Sequence, residues 1–324
     1  MKLSFKSYQA ALLLASASSV LGASHTASEP CSTTWKCHPV KTTPTLDADH
    51  SDWADVEAYT SSLVLISGTE YGDGDLTAKC QYDSENIYFA FEIPGKYRFS
   101  ATDNHLCAAI ATMFKVGSEA TYTNMGGCPD AISGCADGVP DTCTDYRVDI
   151  GAHWELATTE QRTLYPVNNT ATAGTGNDPI ANKDDEYAVS SYCRFDDDDA
   201  NAGNEWAGAW AHTSTNATEG EDGTYHFEMS RLLKTPSSMT DAQLTAGQTY
   251  EFGVAYWDPH QSNETGWTAI NHYITGCASK WIELELVSDE GDNSAPAAGD
   301  SSSSALGLSS MVAAMAVGSV VSWM

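Results

Sequence analysis

Met125 sits in Tyr122-Thr-Asn-Met-Gly-Gly127, just beyond the apolar run Ala108 to Gly117. Glycines beside a methionine leave the backbone without a Cβ, so a bulky planar group can approach it closely. A thioether is a soft axial ligand for haem iron, set opposite a histidine or another nitrogen donor. The plainer role of a single methionine is to fill a gap in a core. Other chemistry is thin. Asp196 to Asp199, or Asp47, Asp49 and Asp52, offer carboxylates to calcium, yet neither set has the regular spacing of a calcium loop. Cys37-His38 has no matching partner motif for zinc, and no Cys-x-x-Cys, Gly-x-Ser-x-Gly or His-Glu-x-x-His occurs. Nothing nominates a carboxylate pair for glycoside hydrolysis.

The elements that must position Met125 read as short strands. Ile87, Phe89 and Phe91 alternate with Tyr88, Ala90 and Glu92, the period of a half-buried strand. Similar character marks Ser62 to Ser67, Asp75 to Tyr82, Ala108 to Val116, Tyr146 to Leu156 and Arg162 to Val167. It returns at Thr224 to Ser230, Thr249 to Trp257 and Lys280 to Val287. Asp83-Ser-Glu-Asn86 reads as a hairpin turn, and Thr240 to Thr245 as a short helix. Many short strands with little helix period predict an all-β fold, an antiparallel immunoglobulin-like β-sandwich with long loops. Thr170 to Gly223 is rich in Gly, Asn, Asp and Thr and reads as surface loops, with strands around Ala188 to Arg194 and Glu205 to Ala211.

The ends set an address. Residues 1–22 carry Lys2 and Lys6, an apolar centre and a small-residue exit, the pattern of a secretory signal. Residues 23–43 form a Ser/Thr-rich lead-in, in which Cys31 and Cys37 could close a loop. After a domain at 45–287 comes a polar spacer at 288–304 and an uncharged apolar tail at 305–324. Small residues at Asn293-Ser-Ala295, spacer and tail match a GPI attachment signal, with Asn293 or Gly299 to Ser301 as the attachment region. A C-terminal transmembrane anchor is the other reading of the same tail. Either one predicts a membrane-held protein on the extracellular face of the cell surface. Nine cysteines in an exported chain predict disulfides, with an odd one over. Sequons at Asn168, Asn216 and Asn263 predict surface segments. A formal charge of −29 argues against nucleic acid as a partner.

An ordered set of features runs through the domain. Leu46-Asp-x-Asp-x-x-x-Asp-Trp53 is followed by the Asp83 to Ile93 hairpin strand, Met113-Phe-Lys-Val-Gly117 and Asn124-Met-Gly126. Asp149-Ile-Gly-Ala-His-Trp154, His226 to Leu233, Phe252 to Asp258 and Ser279 to Leu286 complete it. The set resembles the haem-binding domain of the ethylbenzene dehydrogenase γ subunit and related dimethyl-sulfoxide-reductase-like haem domains. That resemblance implies one haem b held without covalent attachment, in keeping with the lack of a Cys-x-x-Cys-His motif. It maps one axial ligand onto Met125, beside Gly126. Where the bacterial proteins carry a lysine, this chain offers His272, with His260 as second choice; Trp257 and Trp267 would serve as core or pocket wall. The implied function is electron transfer with an unknown redox partner protein, non-catalytic rather than enzymatic. A carbohydrate-binding β-sandwich without haem is the alternative, using Trp206, Trp210 and Trp267. A disulfide-braced surface protein without ligand is a third reading.

Overall fold

Alternating apolar residues along most strands are gathered into two facing sheets in the structure, a computed structural model. It describes residues 34–288 apart from 136–137, 156–160, 163–164, 167–182, 197–205, 215–217, 263–264, 269–270 and 277–279. The strands are β1 (Thr34–Pro39), β2 (Tyr59–Ser61), β3 (Leu63–Leu65), β4 (Leu76–Tyr82) and β5 (Asn86–Lys96). There follow β6 (Ala109–Lys115), β7 (Val148–Glu155), β8 (Tyr165–Pro166), β9 (Lys183–Ser190) and β10 (Cys193–Asp196). The last are β11 (Ala207–His212), β12 (Asp222–Leu232), β13 (Thr249–Trp257), β14 (Tyr273–Thr275) and β15 (Ile282–Leu286).

One sheet runs β10-β9-β7-β6-β13-β15-β1, and the other runs β1-β4-β5-β12-β11-β8. Strand β1 belongs to both, parallel to β15 through Thr34 to Cys37 and to β4 through His38 and Pro39. The remaining pairings are antiparallel, so the expected β-sandwich with long loops is the observed fold. Ile87, Phe89 and Phe91 of β5 point inward against Ile110, Phe252 and Trp35. Phe89 stacks on Phe252 at 5.4 Å between ring centroids, and Trp35 meets Phe252 at 5.6 Å. The Ser/Thr-rich lead-in therefore ends in a strand whose tryptophan is part of the core, which its composition hid.

The other face of β5 is covered too. Tyr88 and Ala90 pack beneath Trp53, on a short 3-10 turn at His50–Trp53. The hairpin at Asp83 is held by its own carboxylate, which accepts from the Glu85 and Asn86 amides and from the Tyr88 hydroxyl. The helix expected at Thr240 to Thr245 does not form: a turn ends at Thr240, and Ala242 to Thr245 run as irregular chain. Its backbone is claimed elsewhere: the Ala242 amide donates to Asp149, and the Ala242 carbonyl accepts from Arg231.

Disulfides join Cys37 to Cys80, Cys128 to Cys143 and Cys135 to Cys193. The Cys31–Cys37 loop is thus corrected: β1 and β4 run side by side and bring Cys37 to Cys80. Cys107 is a buried thiol that donates to the Ser100 carbonyl. Three bridges among the described residues belong to an oxidising compartment, so the folded part is secreted or surface-exposed. No helix among the described residues is long and apolar enough to cross a membrane. The export signal, the tail with Asn293, the sequons and Asp197 to Asp199 lie outside the described residues.

Candidate functional site

The outer face of the first sheet is built low. Ala111 of β6 and Gly253 and Ala255 of β13 put small side chains where the strands cross its middle, with Met113 and Ile150 beside them. Taller groups stand around this floor: Trp257, the turn Tyr122 to Met125, Ser191 and Arg194 of the β9–β10 hairpin, and His272 and Ile274 near β14. The result is an apolar cleft of about 310 Å³ with a polar rim, at the small end of the range for small-molecule sites. Trp257 lies against the His272 ring at 4.8 Å and against Trp267 at 6.0 Å.

Tyr122 forms one wall through a close approach. A Cβ on Gly253 would fall 2.1 Å from Tyr122 Cε2, so only glycine lets the ring lie on the strand. Its hydroxyl is paired with Thr275 Oγ1 at 2.7 Å, and burial pushes the phenol well above its ordinary pKa. Trp281 supports the ring from the side at 5.0 Å. Arg194 brings a cation to the rim and is held by Glu186 at 3.4 Å.

The turn bearing Met125 explains its glycines. Met125, Gly126 and Gly127 all take positive φ, at 48°, 103° and 77°. A Cβ on Gly126 would meet the Tyr146 carbonyl oxygen at 2.3 Å and Val189 backbone at 2.7 Å; one on Gly127 would meet Thr121 Oγ1 at 2.5 Å. The space that suggested a planar group near the backbone is filled by the protein itself. Met125 and His272 do face the same cleft, as wall residues, whereas Gly126 is buried behind it. His260 is elsewhere, its ring set near the Tyr97 carbonyl.

Other sequence expectations move as well. Trp206, Trp210 and Trp267, expected as exposed sugar platforms, are each no more than 4% exposed. Trp206 fills the space above Gly151, Trp210 stacks on Phe99, and Trp267 donates to the Cys107 carbonyl. Met113, part of the ordered set of motifs, lines the cleft. Tyr122, Ser191 and Arg194 were missed by sequence reasoning. The lone glycine between Phe252 and Val254 was the available signal, because glycine inside a strand marks a close approach.

Against known proteins, a sequence-family model described as ethylbenzene dehydrogenase matches residues 48–269, so the chain belongs to that family. No curated protein matches the sequence. Among solved structures, a family 9 carbohydrate binding module from Caldicellulosiruptor kristjanssonii in complex with glucose is similar, with a TM-score of 0.37 and 12% identity. That similarity covers 81% of this chain and 100% of that one. The same module in complex with cellotriose gives a TM-score of 0.35 at 13% identity, over 79% and 97% of the two chains. A putative carbohydrate-binding protein from Bacteroides uniformis gives 0.33 at 9% identity, over 78% and 97%.

Family membership does not carry the haem. The resemblance to a haem domain, with haem b on Met125 and His272 and a redox partner for electron transfer, is corrected here. The glycines that spoke for a tetrapyrrole pack on Tyr146, Val189 and Thr121. Clusters of metal-ligating His, Cys, Asp and Glu among the described residues fall at His50, Glu92 and His226 and at Asp149, Asp185 and Asp241, away from the cleft.

Proposed function

We propose that this member of the ethylbenzene dehydrogenase family is a non-catalytic carbohydrate-binding module that takes a sugar in the cleft on its first sheet. The observation that carries the reading is the lining: Trp257 and Tyr122 beside a floor of Ala111, Gly253 and Ala255, with Asn124, Ser191, Arg194 and His272 at the rim. A pyranose ring has an apolar face of C–H groups, which packs on the negative face of an aromatic ring. Its edge carries hydroxyls, which need donors and acceptors such as a rim of amide, hydroxyl, guanidinium and imidazole supplies. Met125 adapts its shape to the ligand, as a flexible thioether does. Gly126 serves by letting the turn close behind it.

The binding domain spans 45–287 together with β1, and it acts on the extracellular face of the plasma membrane. Export by residues 1–22 and retention by the tail at 305–324 fit that place. The test is calorimetric titration with glucose and cello-oligosaccharides, followed by a wider glycan panel. Saturable binding that falls at least tenfold in Trp257→Ala, about 1.4 kcal/mol, supports the module. Binding to no glycan, or binding indifferent to Trp257, sinks it.

A further inference from the structure

The outer face of the second sheet holds a different arrangement. Glu92 of β5 and His226 of β12 are direct cross-strand partners. Above them lies His50, on the 3-10 turn His50–Trp53, whose Asp49 cap accepts from the Ser51 amide. The turn is tied to β12 by Glu228. One carboxylate oxygen accepts from Trp53 Nε1 at 2.9 Å, and the other from the Asp47 and Ala48 amides at 2.8 and 2.7 Å. One ligand atom from each of His50, Glu92 and His226 then lies within 4.8 Å of the others.

We propose that His50, Glu92 and His226 bind a divalent transition-metal ion of the zinc type. Two imidazoles and one carboxylate form a donor set that suits zinc and leaves a position for water. The surroundings of His50 bear on it. The His50 side chain is only 6% exposed; its Nδ1 pairs with Glu92 Oε1 at 2.9 Å, while its Nε2, on the other side of the ring, is buried with no hydrogen-bond partner. A buried polar atom left this way is costly unless something completes it.

An incoming cation would replace the direct His50–Glu92 contact, and the other charged side chains nearby are engaged elsewhere. Lys79 of β4 donates to the Trp53 carbonyl, Glu228 is used on the turn, and Arg162 acts on His226 from a distance. The rings of His50 and His226 are stacked at 4.2 Å and inclined by 20°. An ion lies near the plane of each imidazole it binds, so uptake turns one ring toward the other. The metal would clamp the segment around Trp53 onto the sheet, on a face separate from the cleft.

The test uses chelator-treated protein titrated with zinc, with calcium as control, by calorimetry and by thermal melting. Expected are one zinc per chain, a raised Tm, no comparable calcium binding, and shifted His50 and His226 ring resonances in NMR spectra. His226→Gln and Glu92→Gln should each weaken zinc binding by about a hundredfold or more, by comparison with the 10- to 100-fold that outer contacts alone are worth. If one variant fails to fold, as judged by its melt, the other decides. Absence of zinc binding, or equal binding in a folded variant, overturns the site. Either outcome leaves glycan binding at the cleft unaffected.

Discussion

The ring of Tyr122 occupies the space where a side chain on Gly253 would stand, 2.1 Å from the nearest possible Cβ. Gly253→Ala therefore drives Tyr122 off the strand and distorts the cleft wall. Glycan affinity should fall about tenfold, and overpacking of this kind costs about 1–3 kcal/mol of stability. Calorimetry and urea unfolding of the same preparation read both. A variant that binds normally would show that the wall does not position the ligand.

Arg231 carries the buried polar network. It is 1% exposed, paired with fully buried Asp149, and packed over Phe114 at 5.2 Å. Burial pushes the Asp149 pKa up to about 6 even with Arg231 beside it, and Asp241 adds to the rise. Arg231→Met strands those carboxylates, so a loss of about 3–5 kcal/mol is expected in equilibrium unfolding.

The Cys135–Cys193 disulfide anchors the hairpin that brings Ser191 and Arg194 to the cleft. Replacing both cysteines with serine should lower stability by about 2–4 kcal/mol. Affinity for the glycan should fall as well, since the rim residues lose their tether. Opening Cys37–Cys80, on the far side of β1, should lower stability alone.

His212 sets a pH dependence. Its Nδ1 accepts from the Ser214 amide and its Nε2 faces the Gly95 carbonyl, an arrangement for the neutral ring. Burial holds its folded pKa below the ordinary 6.5. The unfolded chain therefore takes up this proton first, so the contribution is complete above pH 6.5 and lost as pH falls below it. Melting curves of the wild type and His212→Gln should diverge at neutral pH and converge on acidification. Parallel curves would remove His212 as the cause.

The strands themselves were legible because period-two patterns in β5, β13 and β15 come from side chains that face either core or solvent. Thr249 to Trp257 matched the observed strand at both ends. β1 was hidden, because a strand shared by two sheets follows no single-sided pattern and lies in a Ser/Thr-rich stretch. Met125, singled out in the sequence, lines the cleft. Its glycines misled, since the protein's own backbone fills the space beside them, a long-range contact that local sequence does not encode. The tryptophans named as sugar platforms failed for a related reason: an aromatic in a loop is either presented or buried according to what crosses it. His50, Glu92 and His226 come together from three separate segments, and only the fold joins them.

The most direct test of the central claim is a calorimetric titration of the protein and its Trp257→Ala variant against a panel of soluble glycans. Saturable one-to-one binding of at least one glycan by the wild type, weakened at least tenfold in the folded variant, is the predicted result. A well-folded wild type that binds none of them, or a variant that binds as tightly as the wild type, would contradict it.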